Sequence, residues 1–551
     1  LREGKIIAIK GLGGYHLACD GLQDDVVWRL RQRKQREAKP LAIMVQDLDT
    51  ARRLCTVSAV EAETLTSERR PIVILRKRPD CPIAEAVAPL NRDLGVMLPY
   101  TPLHQRLLQQ AARPLVMTSG NLTEEPLAYQ DDDAVRRLAG LADYFLTHNR
   151  PICTRCDDSV TRIVFNQELP LRRSRGYVPL PIRLSPPCTT PILACGGHLK
   201  NTFCLAQGEY AFLSHHIGDL QDYQTYHAFV KSIEHFQRLF DIKPQAVAYD
   251  LHPGYRSTQY ALALKDLPHI TVQHHHAHIA SCMAENGCEG PVIGVAWDGT
   301  GYGMDGRVWG GEFLVASYSG FERLAHLEEV PLPGGEQAIR QPWRMAAAYL
   351  HHVYDGAMKD LDLTLMRTVD HRRWHIVCQM LLREINSPLT SSAGRLFDAV
   401  AALLGLRYEV QYEGQAAMEL EMLAEECAVA GYSFDLVDDR KPMVVETAGI
   451  IRGVVDDLLR AEPAPLIAAK FHTTLAEIIR TVCGRISELT NLRQVALSGG
   501  VFQNTLLLAT VIPRLLEDGF AIYTHRLVPP NDGGLCLGQA AVAHAILAKG
   551  T

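Results

Sequence analysis

"ALSGGVFQN", residues 496 to 504, sets Ser498, Gly499, Gly500 and Asn504 directly behind an apolar run. Glycine at such a place lets backbone N–H groups approach phosphate oxygens. A strand-to-helix turn after Gly500 would also set a helix N-terminus against the anion. One Gly-Gly pair after a strand is usually only a tight turn. Two more turns of this kind occur in the same half of the chain: "ACGGHLKNTF" (194–203), with Gly196, Gly197, Lys200 and Asn201, and "VAWDGTGYGMDG" (295–306), with Asp298, Gly299 and Thr300. Three such turns, each behind an apolar strand, predict an α/β domain that binds a nucleotide. Asp398, within the apolar-periodic helix 395–405, is counted in the same nucleotide set.

A second signal lies in "VQHHHAHIASCMAENG" (272–287), where His274, His275, His276 and His278 fall within five positions. Histidines at i and i+4 on a helix point two nitrogens in one direction, which selects His274 and His278 as metal ligands. His275 and His276 read as ordinary polar residues at a helix start. An imidazole and carboxylate set suits zinc or iron(II), and the residues do not choose between them.

At 551 residues the chain is too long for one core, so two or three domains are expected. The 62 acidic and 56 basic residues leave a formal net charge of -6, which implies no global attraction to nucleic acid or membrane. No apolar run approaches the roughly 20 residues of a membrane span, and "LREGKIIAIK" has no signal-peptide core and no initiator Met. The chain reads as cytoplasmic, and as part of something longer. Of 14 cysteines only Cys153 and Cys156 form a C-x-x-C, with no second pair at ribbon spacing. Scattered cytosolic thiols are the reading, with a zinc knuckle or redox pair at 153 and 156 as the alternative.

Five prolines in "PLPIRLSPPCTTP" (179–191) argue against a helix or a central strand and mark a linker, placed at 183–192. Residues 1–182 then form a compact α/β domain and residues 193–551 a longer one, with a mostly helical elaboration at 355–445. No period of 20 to 50 residues repeats, which excludes a solenoid. In the first domain "RLRQRKQREAKPLAIMV" (29–45) offers Arg33, Lys34, Arg36 and Lys39 as cationic donors to a triphosphate. Ser119 and Asn121 of "TSGNLTEEP" (118–126) are compact polar groups suited to nucleotide or carbonyl recognition. On their own, the cations fit a solvated helix face equally well. A phosphate-backbone reading of the six cations in residues 29–40 is set aside, because no aromatics interleave with them and the chain is acidic.

The three glycine turns resemble those of the actin, sugar-kinase and Hsp70 superfamily, two-lobed α/β proteins that clamp ATP. Together with the histidines they resemble one branch of it, the universal threonylcarbamoyl-transferase domain. That likeness makes His274, His278 and the Asp532 of "PPNDGGLCLG" metal ligands, with Asp298 as a further one. "GLGGYHLACD" (11–20), the basic stretch, "GVMLPYTPLH" (95–104), "TSGNLTEEP" and "RRSRGYVP" (172–179) resemble, in that order, the YrdC family, whose members make acyl-adenylates from ATP. A YrdC-like α/β domain followed by a two-lobed actin/sugar-kinase/Hsp70-like (ASKHA) α/β domain is similar to the hydrogenase-maturation carbamoyltransferase family, over essentially the whole chain.

That resemblance implies ATP with Mg2+ and one transition metal, zinc or iron, as cofactors. Lys34, Arg36, Lys39, Ser119 and Asn121 would be the adenylate-forming residues. Carbamate, derived from carbamoyl phosphate, would become carbamoyl-adenylate. The carbamoyl group would then pass to the C-terminal cysteine of a HypE-type maturation protein, with no membrane and no nucleic-acid partner. The family also carries an acylphosphatase domain and a zinc-finger region, which these residues do not resemble. Two other readings stay open. One is a transfer-RNA threonylcarbamoylation enzyme, against which stand His276 and the "WDGTG" turn. The other is a non-catalytic, nucleotide-regulated binding module.

Overall fold

The computed structural model describes residues 1–122, 125–425 and 427–549; Thr123 and Glu124 of the 118–126 motif lie outside the described residues. The chain forms two compact units. One comprises Leu1–Tyr249, Gly254–His269 and Arg526–Cys536, the other Asp250–Pro253, Ile270–His525 and Leu537–Thr551.

The first unit carries a mixed nine-stranded sheet. Its order is Tyr144–Leu146, Ile7–Lys10, Tyr15–Asp20, Leu115–Ser119, Ala42–Met44, Asp93–Met97, Ile72–Arg76, Val160–Val164 and Gln167–Arg172. One face buries Ala8, Leu17, Ile43, Val73, Val96 and Val116, and the helix Asp24–Lys34 covers it with Val26, Val27 and Leu30. That helix has Asp24 and Asp25 in its first turn and Arg31, Arg33 and Lys34 in its last, the charge order that the helix dipole favours. It ends at Lys34, because Gln35 turns left-handed (φ 53°). The buried positions 26, 30 and 34 fall on one helical face, so Lys34 is carried inward with the apolar residues.

The proline-rich segment expected as a linker is instead the strand Ile182–Ala194, paired antiparallel with Cys204–Leu213 and, through Ile192–Ala194, parallel with Ala246–Asp250. Its pairing with Cys204–Leu213 is interrupted between Arg183 and Cys188 and again between Cys188 and Ile192. Pro186, Pro187 and Pro191 stand in those interruptions, where a missing N–H breaks no ladder bond.

In the second unit the sheet runs Asp435–Val437, Met443–Glu446, Gly320–Leu327, Val308–Ser317, Val292–Tyr302, Gln494–Ser498, Ala521–Tyr523. The histidine helix, His274–Glu285, packs on Val292–Tyr302 and Gln494–Ser498. Gly294 permits the close approach, since a Cβ there would lie 2.6 Å from Ile279 Cγ1. "WDGTG" is not a turn after a strand as expected. Asp298, Gly299 and Thr300 lie inside the strand Val292–Tyr302, where its register against Val308–Ser317 shifts between Trp297 and Gly301.

Candidate functional site

Gln273 caps the histidine helix, its side chain accepting from His276 N at 2.9 Å. The cap fixes the first turn, and with it the directions of His274 and His278, whose ring centroids lie 4.9 Å apart. Their Nε2 atoms converge on Asp298 Oδ2, at 3.4 and 3.0 Å. All three side chains are buried. The other nitrogen of His274, Nδ1, bonds Asp250 Oδ2 at 2.7 Å. A carboxylate there holds a proton on Nδ1, so that Nε2 is the nitrogen that gives up its proton to a metal, the arrangement that metal-binding imidazoles use.

Asp298 joins this cluster to two of the glycine turns. Its Oδ1 accepts from Gly299 N at 2.7 Å and Gly500 N at 3.1 Å, while Oδ2 faces the imidazoles. Burial alone would raise the Asp298 carboxyl, but the hydrogen bonds and charges of His274 and His278 outweigh it and hold the group well below the usual carboxylate range. His274, His278 and Asp298 each offer a ligand atom, mutually within 4.8 Å. With a metal in place of the Nε2 protons, two imidazoles and an ionised carboxylate are a donor set that fits a zinc or iron(II) ion. His275 and His276, expected as ordinary polar residues, are instead buried. Burial pushes the His275 imidazole down to about 3, and His276 Nε2 lies 2.6 Å from Ser317 O.

The remaining predicted nucleotide residues divide by role. Gly499 (φ 106°) must be glycine, because a Cβ would fall 2.1 Å from Trp297 O. A four-residue 3-10 turn, Gly500–Gln503, follows it, so no α-helix begins at Gly500. The α-helix starts at Thr505, where Asn504 is the N-cap, accepting from Leu507 N and bonding His472 Nε2 at 2.9 Å. Asn504 therefore holds a helix. Asn201 similarly ties its own turn, donating to Cys195 O and Gly197 O. Gly196 (φ 70°) and Lys200 (φ 46°) supply the left-handed backbone of that turn. Gly197 faces Asp532 Oδ2, which a Cβ would approach to 2.9 Å; Asp532, Gly196 and Gly197 all belong to the first unit. Asp398 is buried beside Arg395, and burial pushes its carboxyl up to about 6.

In the first unit, Lys34, Ser119 and Asn121 come together. Lys34 Nζ donates to Ser119 O (2.6 Å), Asn121 O (2.6 Å) and Asn121 Oδ1 (2.8 Å), and Ser119 Oγ donates to Asn121 Oδ1 at 2.6 Å. Burial, with Arg36 nearby, pushes the Lys34 ammonium well below the ordinary lysine value. Arg36 and Lys39 lie in the loop after the helix. Arg36 bonds Pro40 O at 2.7 Å, and the Lys39 carbonyl accepts from Arg31. Arg33 is turned elsewhere, onto Asp143 and Leu141 O.

The chain matches the family described as carbamoyltransferase, Kae1-like domain, second subdomain, over residues 294–539, and the HypF Kae1-like domain family over 187–285. It also matches the Sua5/YciO/YrdC family, described as telomere recombination, over 1–174. It is 44% identical to carbamoyltransferase HypF2 of Cupriavidus necator, over 98% of this chain and 72% of that protein. To carbamoyltransferase HypF of Synechocystis it is 42% identical, over 98% and 71%. The crystal structure of full-length HypF in its phosphate- and nucleotide-bound form superposes with a TM-score of 0.96 at 46% identity, covering 99% of this chain and 85% of that one. HypF of T. kodakarensis gives 0.93 at 35% identity, covering 99% and 72%. The chain belongs to the HypF carbamoyltransferase family. It is an ATP-dependent carbamoyltransferase of hydrogenase maturation, with the YrdC-like and Kae1-like parts expected of that family.

For a HypF-type chain the sequence reading missed several buried groups. Asp250 comes from a strand 24 residues before His274, and nothing in its surroundings marks it. His16 and Asp158 bond at 2.9 Å across 142 residues, and Arg175 donates to Asp158 from Nε at 2.8 Å while stacking on Tyr100. His16 also pairs directly across the sheet with Ser119, which puts both side chains on one face. The motifs "GLGGYHLACD", "GVMLPYTPLH" and "RRSRGYVP" contain His16, Tyr100 and Arg175, so the signal lay in the motifs without naming these residues. Cys153 and Cys156 form no disulfide, and burial pushes the Cys156 thiol up to about 11. Among the described residues no helix is long and apolar enough to cross a membrane.

Proposed function

We infer that the chain works in two steps, with residues 1–182 forming the adenylate and residues 193–551 transferring the group. In the first step an oxygen of carbamate, derived from carbamoyl phosphate, attacks the α-phosphorus of Mg2+-ATP. The bond to the β-phosphate breaks, and pyrophosphate leaves carbamoyl-adenylate behind. Lys34, Arg36 and Lys39 neutralise the triphosphate, and Ser119 and Asn121 orient the carbamoyl end. In the second step the thiolate of the C-terminal cysteine of a HypE-type maturation protein attacks the carbamoyl carbon. The carbon–oxygen bond breaks and AMP departs. The reading places both steps in the cytoplasm.

His274, His278 and Asp298 would hold one zinc or iron ion, which when bound polarises a carbonyl oxygen as a Lewis acid. Asp250 holds the His274 ring in the orientation and tautomer this requires. The backbone of the Gly299 and Gly499–Gly500 turns serves the nucleotide end of the intermediate. The observation that carries the reading is the buried convergence of His274 and His278 on the Asp298 carboxylate, which also accepts from the Gly299 and Gly500 turns. It is tested by following pyrophosphate release and carbamoylation of a HypE-type acceptor in parallel. His274→Ala should stop the second and spare the first. Carbamoylation at the wild-type rate in the His274→Ala, His278→Ala double variant defeats the assignment.

A further inference from the structure

Transfer of a carbamoyl group to a cysteine begins with a thiol that still carries its proton at neutral pH, because an unperturbed cysteine titrates at about 8.5. Attack by the thiolate therefore needs a base. His274, His278 and Asp298 do not serve, since their ligand atoms lie together as a metal-binding set. An imidazole outside that set stands beside it: His252, in the segment Asp250–Pro253 of the second unit.

The strand Ala246–Asp250 ends here, and Asp250 holds two neighbours at once. Its Oδ1 accepts from His252 N at 2.9 Å, while Oδ2 bonds His274 Nδ1 at 2.7 Å. A single buried carboxylate thus ties the backbone of His252 to the ring of a metal-binding histidine. The His252 ring itself meets Tyr302 edge to face, with centroids 5.1 Å apart. Tyr302 O in turn accepts from Nε2 of Gln273, the residue that caps the histidine helix. His274 and His278 are buried, whereas His252 is half-buried, and so are Gly299, Thr300 and Tyr302 of the strand Val292–Tyr302. This edge of the cluster is open to solvent. The charged and titratable groups that face the ring are Asp250, His274 and Glu336, the last from the helix Glu336–Arg340. Burial, and then the His274 charge, lower the imidazole from its ordinary value and outweigh the two carboxylates. At neutral pH the ring is uncharged and has a lone pair to offer.

We propose that His252 is the general base of carbamoyl transfer, taking the proton of the acceptor's cysteine thiol as the sulfur attacks the carbamoyl carbon. This rests on the reading of the second unit as the part that transfers the group to a thiol. The S–H bond breaks and its proton passes to a ring nitrogen of His252. A sulfur–carbon bond forms, the carbon–oxygen bond to the adenylate breaks, and AMP leaves with the electron pair. The imidazolium then returns its proton to solvent.

The pH profile of carbamoylation of a HypE-type acceptor by the full chain tests this, with pyrophosphate release and metal content followed in parallel. His252→Gln keeps the backbone N–H that Asp250 holds, so pyrophosphate release and metal content should stay at their starting values. Carbamoylation should fall about 100-fold at neutral pH, and the deficit should shrink as pH rises past about 8.5, where the thiol ionises unaided. In His252→Ala, added imidazole should restore part of the lost rate, and this variant carries the test if the Gln variant does not fold. A variant as fast as the wild type at neutral pH, one whose loss is equal at every pH, or one that loses its metal overturns the assignment. If the wild-type chain releases pyrophosphate but carbamoylates no acceptor at any pH, the transfer reading itself fails and the proposal falls with it.

Discussion

Asp250 fixes which nitrogen of His274 faces Asp298, and its effect can be separated from that of the ligands. Asp250→Asn keeps the shape and loses the charge, so metal affinity should fall about 10–100-fold while pyrophosphate release persists. Competition with a chelator measures the first, and an unchanged affinity would show that the 2.7 Å contact has no influence on the ligand. In the first unit Lys34→Ala removes a buried cation bonded to both Ser119 and Asn121, and should lower pyrophosphate release more than Arg36→Ala or Lys39→Ala. Equal losses in all three would remove the distinction. Asp158 gives a pH dependence. Burial opposes its ionisation, but Arg175 and His16 outweigh burial and hold the carboxyl well below the ordinary value of about 3.9. A carboxyl depressed in the folded state adds stability above its unfolded value, and that stability is lost as pH falls toward the folded one. Asp158→Asn should therefore be less stable at neutral pH and lose less stability on acidification below about pH 4, as denaturant melts at several pH values would read. His274 and His278 were legible because helical spacing alone sets them side by side. Asp250, His16 and Asp158 were not, because each meets its partner only through the packing of segments far apart in the chain, which no local spacing reveals.

At the scale of elements, the glycine turns were legible as backbone, while the structural bonds of their side chains were not. Gly499 and Gly197 are glycines because Trp297 O and Asp532 leave no room for a Cβ. The two asparagines assigned to the nucleotide close a turn and cap a helix. Asn504→Ala removes the cap of Thr505–Glu517 and the partner of His472, and should cost about 1–2 kcal/mol of unfolding free energy without changing metal content. A loss confined to nucleotide affinity, with stability intact, would return Asn504 to the ligand. The strand Ile182–Ala194 was hidden by its prolines, which argue against an unbroken ladder but are compatible with one interrupted twice. Spacing along one segment gives no sign that a partner strand tolerates such gaps.

For the whole molecule, the two α/β parts and their order were legible from motif series, whereas the course of the chain between its compact units was not. The first unit takes Gly254–His269 and Arg526–Cys536 from the far side of the proline-rich segment. If the metal serves only the second step, dialysis of the full chain against a chelator should abolish carbamoyl transfer and leave pyrophosphate release near its starting rate. Loss of both activities together would tie the metal to the first step. The interleaving also acts on the order of synthesis. Thr202 Oγ1 bonds Gly533 O within the first unit, although the two residues are 331 positions apart. At roughly 5–20 residues per second, a ribosome that has made Thr202 needs tens of seconds more before Gly533 is even polymerised. For that interval the turn at Gly196–Thr202 must wait, unfinished, in the nascent chain, and any chaperone that attends this protein on the ribosome has a long task there.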